Sequence, residues 1–391
     1  MNAAGRGARS PAGDDERGAR DADMRIFVDA RWTRTDFPDG ISRYTAGLVE
    51  ALHRIRPVTV LIHDPAQLGL LPAGVPHELI NSPFSPRELW VSRTLHRLGA
   101  EVVFSPMQVI GGFRRRYAQV LTLHDLIYYR YPKPPEFLPL PVRIVWWLFH
   151  HAWWPQRVLL NRADLVITVS ETTKRLIERH RLTRRPVAVV PNAPTASSPA
   201  DTGSAGSTAR TAEQDGQGRA PSALLYMGSF MPYKNVTTLI SAMDRLPGYR
   251  LHLLSRIDPA RRRSLREVVP SGADVVFWNG VSEEDYGDLL GNAAALVTAS
   301  KDEGFGLPLI EAMNAETPVV CSDIPIFREV TGGHAQFFAP DSVSGFIAAV
   351  RRSEDPETRA ETVESARAHA AGFTWEESAR KLHESIRRMI S

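Results

Sequence analysis

Short apolar runs rich in β-branched residues alternate with helical patterns along most of this 391-residue chain. In the first half we predict strands at Arg25–Val28, Val58–Ile62, Val102–Phe104, Val120–Leu123, Leu165–Val169 and Val187–Val190. In the second half we predict strands at Ala223–Met227, Arg250–Leu254, Val275–Phe277, Ala295–Val297 and Val319–Cys321. Helical patterns such as Ile41–Arg54 and Leu307–Ala315 lie between several of them. Strand–helix alternation favours parallel, doubly wound α/β sheets, and two such sheets in series predict a ligand cleft between two domains.

Two segments depart from this pattern. Residues 1–23 are rich in Ala, Gly, Arg and Asp and have no apolar run, so we expect a disordered tail rather than a signal peptide. Residues 196–222 contain no Val, Ile, Leu or aromatic residue, which is typical of a flexible linker. We therefore place one domain at 24–195 and a second at 223–391.

The net charge changes this picture only when it is divided between the halves. The total is +3, but residues 24–195 carry 23 Lys and Arg against 13 Asp and Glu, a net +10. Residues 223–391 carry 18 against 23, a net −5. A basic half suggests an anionic partner such as nucleic acid, a membrane surface or a charged substrate. The single cysteine, Cys321, excludes a disulfide framework and a cysteine-based zinc site.

Several familiar nucleotide and hydrolase motifs are absent. The first predicted strand is not followed by G-x-G-x-x-G, and the chain has no Walker A, H-E-x-x-H or G-x-S-x-G motif. The most informative segment is instead Ser300–Met313, which follows a predicted strand. Its glycines allow close approach of a ligand, and Pro308 suits the first turn of a helix whose free N–H groups attract an anion. We expect Glu303 and Glu311 to border the same pocket. The alternative for Glu311 is a first-turn glutamate that the helix dipole favours, and the alternative for the glycine segment is an ordinary loop.

This segment resembles the hallmark of the family 4 retaining glycosyltransferases, two glutamates separated by seven residues, here Glu303 and Glu311. Five further segments resemble that family's motifs in its order. They are Gly40-Ile-Ser-Arg-Tyr44, His124-Asp125-Leu, Val169–Glu171 with Pro191–Ala193, Tyr226–Asn235, and Thr317–Val330. The resemblance spans roughly residues 24–391. It implies the GT-B fold, in which two Rossmann-like doubly wound domains face a central cleft, and a last helix, about 374–391, that packs back on the first domain.

The resemblance also implies roles for individual residues. Lys234 would stabilise the departing diphosphate, and it stands out because the chain has 5 Lys against 42 Arg. Glu303 would contact the transferred sugar, Glu311 the ribose hydroxyls and His124 the donor sugar, with Asp125 orienting the imidazole. The remaining expected substrate-binding residues are Gly40, Asn192, Gly228, Arg256, Gly304, Phe305, Gly306 and Leu307. Arg256 is included because Ser229 and Tyr233 occupy positions where an arginine is common in the family; a solvated surface arginine is the alternative.

We expect the reaction to move a hexose, mannose from GDP-mannose, onto an acceptor sugar or lipid-linked glycan, with no cofactor and no metal. Nucleic acid is not expected as a partner. The basic first domain and the aromatic stretch Val142–Trp154 suggest contact with an anionic membrane, with a cytoplasmic location at the inner face of the cell membrane. A helix buried against the sheet is the alternative for that stretch. Two other functions share the fold: a nucleotide-sugar 2-epimerase and a catalytically silent binding protein.

Overall fold

The computed structural model of the chain describes residues 24–35, 39–133, 140–194 and 222–391. The predicted tail at 1–23 and all of the predicted linker except Ser222 lie outside the described residues. Within them the chain forms two wholly parallel sheets, one in each half. Apolar strand residues dominate both sheets because helices cover their two faces.

The first sheet contains seven strands in the order β3-β2-β1-β4-β5-β6-β7. They are β1 (Ile26–Asp29), β2 (Val58–Ile62), β3 (His77–Leu79), β4 (Val102–Ser105), β5 (Ala118–Leu123), β6 (Leu165–Thr168) and β7 (Val187–Val189). In register, Ile26 of β1 lies opposite Val58 of β2 on one side and Val102 of β4 on the other. The strand order reverses between β1 and β4, which is where ligands bind in open α/β sheets.

The second sheet contains six strands in the order β10-β9-β8-β11-β12-β13. They are β8 (Ser222–Tyr226), β9 (Tyr249–Leu253), β10 (Val275–Phe277), β11 (Ala295–Thr298), β12 (Val319–Ser322) and β13 (Gln336–Phe338). Its order reverses between β8 and β11, so the loops after these two strands, which carry Lys234 and Glu303, lie side by side. The two sheets together confirm the predicted GT-B architecture.

Helices connect the strands within each half. In the first half they are α1 (Gly40–Ile55), α2 (Val91–Arg97), α3 (Ile127–Arg130), α4 (Leu140–His150), α5 (Trp153–Arg162) and α6 (Glu171–Arg179). In the second they are α7 (Val236–Ile240), α8 (Pro259–Glu267), α9 (Glu283–Gly291), α10 (Leu307–Asn314), α11 (Pro325–Thr331), α12 (Val343–Glu354), α13 (Pro356–Ala370) and α14 (Trp375–Ile390). The aromatic stretch 142–154 is therefore divided between α4 and α5.

The last helix, α14, crosses to the first half of the chain. Its apolar residues Leu382 and Ile386 are fully buried in the same cluster as Leu48 of α1. Ser378 Oγ donates a hydrogen bond to the Pro191 carbonyl oxygen at 2.8 Å. The rings of Trp375 and Tyr44 meet edge to face, with centroids 6.0 Å apart. These contacts join the two halves on the side of the molecule that carries α1.

Candidate functional site

A cavity of about 380 Å³ lies between the two sheets, where the carboxyl ends of their strands converge. Both halves of the chain contribute to its walls. Of the predicted site residues, it is lined by Gly40, His124, Asp125, Asn192, Gly228, Lys234, Glu303, Gly304, Phe305, Gly306 and Leu307. Glu311 and Arg256, which were also predicted, lie beyond these walls.

A buried ion pair joins two of the predicted catalytic residues. Lys234 Nζ lies 2.5 Å from Glu303 Oε1, and the two side chains are only 14% and 13% exposed. Ser300 Oγ donates a second hydrogen bond to the same carboxylate oxygen at 2.8 Å. The ion pair is thus partly shielded from water, and protein groups supply its hydrogen bonds. It holds one ammonium and one carboxylate in fixed positions at the cavity wall.

The backbone around Lys234 explains why its side chain is held in place. Residues Pro232–Lys234 form one 3₁₀ turn, and Asn235 ends it in the left-handed conformation (φ 53°), which asparagine tolerates better than most residues. Asn235 Nδ2 donates to the Pro340 carbonyl oxygen at 2.7 Å. Lys301 N donates to the Tyr233 carbonyl oxygen at 2.8 Å. The loop after β8 is therefore anchored directly to the loop that carries Glu303.

The glycines of the Glu303 loop occupy two different situations. A Cβ at Gly304 would lie 3.1 Å from Asp125 Cβ and 3.2 Å from the His124 carbonyl oxygen, so the loops of the two halves approach closely at this point. Gly306 has φ 105°, a conformation that only glycine adopts readily, and it caps the start of α10. The start of α10, residues Leu307, Pro308 and Leu309, lines the same cavity as Lys234, and a helix N-terminus beside a lysine suits a phosphate.

His124 and Asp125 follow β5 and come from the opposite wall. His124 Nε2 lies 2.7 Å from the Pro106 carbonyl oxygen, and because a carbonyl only accepts, Nε2 carries the proton and donates. Burial lowers the pKa of His124, so the imidazole stays neutral with Nδ1 as its acceptor. Burial, together with the nearby charge of Glu303, raises the pKa of Asp125. Asp125 Oδ1 accepts from Ile127 N at 3.0 Å, a contact that fixes the turn rather than the imidazole.

Glu311 lies one turn inside α10 and has a cross-domain partner that the sequence analysis did not identify. Arg43 Nη1 of α1 lies 3.4 Å from Glu311 Oε1, and Arg43 Nη2 lies 2.8 Å from Glu283 Oε1. Tyr286 Oη donates to Glu311 Oε2 at 3.0 Å. Burial raises the pKa of Glu311, and the guanidinium of Arg43 opposes that shift.

Other contacts across the cleft were also missed. Glu329 of α11 accepts hydrogen bonds at 2.7 Å from the backbone N–H groups of Glu171 and Thr172, the first residues of α6. Arg130 Nη1 lies 3.1 Å from Asp302 Oδ2, next to Glu303. The helix dipole favours a carboxylate at a helix N-terminus. The sequence around α6 does not indicate, however, that this carboxylate comes from Glu329 in the other half of the chain.

The remaining predicted residues differ in their surroundings. Asn192 is buried at the cavity wall with 6% exposure. A Cβ on Gly40 would meet no atom within 4 Å, so neither packing nor backbone strain requires glycine there. Arg256 is exposed after β9, and its side chain packs against Gly280. Among the described residues no cluster of three His, Cys, Asp or Glu side chains is arranged to hold a metal ion.

Two family models match the chain over most of its length. Residues 38–194 match "Glycosyltransferase Family 4", and residues 211–369 match "Glycosyl transferases group 1". The curated relatives include bacterial mannosyltransferases, and also a D-inositol 3-phosphate glycosyltransferase and a glycogen synthase from mycobacteria. The O-antigen chain mannosyltransferase RfbU of Salmonella typhimurium is 36% identical over 135 residues, which are 33% of this chain and 38% of RfbU. The O-antigen chain mannosyltransferase B of Escherichia coli is 32% identical over 161 residues, 39% of this chain and 42% of the relative.

The serotype-specific mannosyltransferase WbdA of Escherichia coli is 33% identical over 117 residues, 28% of this chain and 14% of WbdA. The chain thus spans less than half the length of these relatives.

Solved structures match over nearly the whole chain. Sucrose-phosphate synthase from Thermosynechococcus elongatus aligns with a TM-score of 0.67 at 20% identity, covering 94% of this chain and 99% of that one. Anabaena HepE, solved with UDP and glucose, aligns with a TM-score of 0.67 at 18% identity, covering 93% and 99%. The paired sheets, the motif order and both family models agree: the chain belongs to family 4 of the glycosyltransferases and has the GT-B fold.

Proposed function

We propose that the protein transfers a hexose from a nucleoside diphosphate sugar to an acceptor hydroxyl, with retention of configuration at the anomeric carbon. The observation that carries this proposal is the Lys234–Glu303 pair beside the start of α10, inside a cleft between two sheets. Departure of the diphosphate is the main barrier. The ammonium of Lys234 and the positive end of the α10 dipole stabilise the negative charge that develops on the leaving oxygen.

The other residues orient the donor. Glu311 accepts hydrogen bonds from the ribose hydroxyls, and Glu303 positions the transferred sugar. Nδ1 of the neutral His124 accepts from a hydroxyl of that sugar, because Nε2 is already bound to the Pro106 carbonyl. The acceptor oxygen attacks the anomeric carbon from the face that the diphosphate leaves. The C1–O bond to phosphate breaks as the new C1–O bond forms, and the acceptor proton passes to the leaving phosphate oxygen, so no protein nucleophile is needed.

The proposed donor is GDP-mannose. Its support is that several of the curated relatives are named as mannosyltransferases, among them WbdA and RfbU. A thermal-shift series with GDP, UDP and ADP, each alone and as its mannose or glucose conjugate, tests the donor. We expect the GDP series to raise the melting temperature most. A larger rise with UDP or ADP would replace the donor, and no rise with any nucleotide would overturn sugar transfer itself.

The proposed chemistry uses no metal, because a lysine and a helix terminus supply the positive charge. Transfer to a soluble mannoside is therefore expected to continue in EDTA. Loss of turnover in EDTA with recovery on adding magnesium would refute metal independence. Following the donor by NMR separates transfer from the related 2-epimerase reaction, because an epimerase returns an inverted nucleotide sugar and a transferase releases the nucleoside diphosphate.

The proposed acceptor is a glycolipid or polysaccharide precursor, reached by peripheral contact with an anionic membrane. The support is the basic first half of the chain, net +10 over residues 24–195. No helix in the described part of the chain combines the length and apolar character needed to span a bilayer. Flotation with phosphatidylglycerol vesicles at low salt tests the contact. Protein that stays at the bottom of the gradient would refute it.

A further inference from the structure

A second cavity, of about 420 Å³, lies directly behind His124 and Asp125 in the first domain. Ile41, His124 and Asp125 line both this cavity and the cleft that contains Lys234 and Glu303. The three residues therefore form a common wall between the two spaces. Any group held in the second cavity lies next to the proposed reaction centre.

The lining of this second cavity is mainly aliphatic and aromatic. Helix α4 contributes Val142, Val145, Trp146 and Phe149, which follow helical spacing along one face, and His150 at its last turn. Tyr128 packs edge to face on Trp146, with centroids 4.8 Å apart. Such a wall favours an apolar guest, because removing apolar surface from water stabilises binding by about 25 cal/mol per Å².

A polar group marks the opposite side. Gln156 of α5 is fully buried and lines the cavity, and its Nε2 donates to Gln108 Oε1 at 2.5 Å. Gln156 Oε1 has no hydrogen-bond partner among the described residues. An unpaired buried carbonyl costs stability unless a donor reaches it, so this atom is suited to a ligand hydroxyl. The cavity is thus amphiphilic: His124 and Gln156 bring polar groups to it, and Val142, Val145 and Phe149 of α4 bring apolar surface.

The outer face of α4 is apolar as well. Leu140, Ile144, Trp147 and Leu148 share that face and are 68%, 52%, 47% and 57% exposed. A helix that is apolar on both faces suits a position between a cavity on one side and lipid on the other. Trp154, at the start of α5, extends the exposed apolar surface with 66% exposure.

Basic side chains surround the adjoining helix α5. Arg157 of α5 donates to the carbonyl oxygens of His180 and Arg181, and Arg185 Nε donates to the Asn161 carbonyl. Arg115 donates to the Arg162 carbonyl and pairs with Asp164. Helix α5, which follows the exposed apolar helix α4 directly in the chain, thus carries and contacts several arginines, and anionic lipid headgroups attract such cations.

We infer that the second cavity is the acceptor subsite and that it takes a membrane-anchored amphiphile, with the attacked hydroxyl near His124 and the apolar part against α4. The inference rests on the proposed sugar transfer, since the hydroxyl must lie near the donor. Helix α4 has two functions in it. Its inner face holds the apolar part of the acceptor, and its outer face enters the bilayer surface from which the acceptor comes.

Binding of n-octyl α-mannoside and methyl α-mannoside, both below the micelle concentration of the octyl compound, tests the inner face. Tryptophan fluorescence and calorimetry follow saturation of the full chain. We expect octyl mannoside to bind at least about tenfold more tightly than methyl mannoside, because only the octyl chain removes apolar surface from water. Equal affinities would overturn the apolar subsite.

Two neighbouring residues of α4 give matched variants. Val145 lines the cavity at its mouth and is 65% exposed, whereas Ile144 lies on the outer face and is 52% exposed. Val145→Glu is expected to weaken octyl mannoside at least about tenfold, since a charge then borders the apolar guest. Ile144→Glu is expected to leave that affinity within about twofold and to reduce flotation with phosphatidylglycerol vesicles. Equal effects of both variants on octyl mannoside would refute the assignment of the inner face.

Circular dichroism and the rise in melting temperature with GDP, UDP and ADP are recorded for the same samples. If a nucleotide stabilises the protein but octyl mannoside does not bind, the subsite is wrong and the proposed sugar transfer stands. If octyl mannoside binds but no nucleotide does, the proposed transfer fails. Wild-type protein that binds octyl mannoside but does not float with vesicles would overturn the membrane source and assign the cavity to a soluble apolar acceptor.

Discussion

Replacing Lys234 with methionine removes the ammonium that lies 2.5 Å from Glu303 Oε1. Both side chains are about seven-eighths buried, so the change leaves a carboxylate without its counter-charge, which typically costs about 3–5 kcal/mol of folding stability. Ser300 still donates to Glu303, and we therefore expect the lower end of that range. In the reaction, the leaving diphosphate loses its fixed cation, and kcat is expected to fall by about 10²–10³, equivalent to about 2.7–4 kcal/mol.

Glu303→Gln is the matched control, because it breaks the same pair from the other side. Both variants should lose a similar amount of thermal stability, but their affinities for a nucleoside diphosphate should diverge. Lys234→Met is expected to weaken binding, and Glu303→Gln to leave it unchanged or strengthen it, since the ammonium is then released toward the phosphates. Calorimetric titration with GDP and initial rates of transfer measure both effects. A folded Lys234→Met protein that binds the diphosphate as tightly as the wild type would refute the role of Lys234.

Three further predictions concern charge and backbone in the same cleft. Burial raises the pKa of Glu311, so ionisation of its carboxyl group destabilises the folded protein increasingly as the pH rises from about 4.5 through the raised pKa. Glu311→Gln should therefore raise Tm near neutral pH and weaken the affinity for the nucleotide. Arg43 is not left without a counter-charge in this variant, because it still pairs with Glu283. Burial lowers the pKa of His124, so stability should fall as the pH drops below about 6.5, and His124→Gln should flatten that fall in a Tm–pH series. Gly306→Ala should lower the free energy of unfolding, measured by denaturant titration, by about 1–3 kcal/mol because φ is 105° at this position. Gly40→Ala places its methyl group in open space, so it should leave that free energy unchanged but weaken binding of the donor.

The interior of each sheet was predictable because its strands are continuous apolar runs. Val58–Ile62 forms β2 with the predicted bounds, and the predicted strand Ala295–Val297 lies within β11 (Ala295–Thr298). The edge strands β3 (His77–Leu79) and β13 (Gln336–Phe338) were missed. Leu79 is 61% exposed, and a three-residue strand with polar positions carries no periodic signal that separates it from a loop.

The aromatic stretch shows a different limit. Its composition indicated an apolar helix, but both a membrane-facing and a buried helix fitted that composition. In the structure, one apolar face of α4 lines a cavity and the other faces outward. Helix α4 ends at His150, and α5 begins at Trp153. Which face meets which neighbour depends on where Tyr128 and Gln156 lie, and both come from other segments.

The sequence by itself determined the local features of the site. The spacing of Glu303 and Glu311, the glycines between them and the start of a helix at Leu307 are properties of one short segment, fixed by backbone sterics and helix geometry. Only the tertiary structure decided the partners. Arg43 contacts Glu311, which lies 268 positions further along the chain. The Pro106 carbonyl determines that the proton of His124 is on Nε2. These contacts depend on how two sheets and a crossing helix pack, and packing distances between remote segments leave no periodicity along the chain.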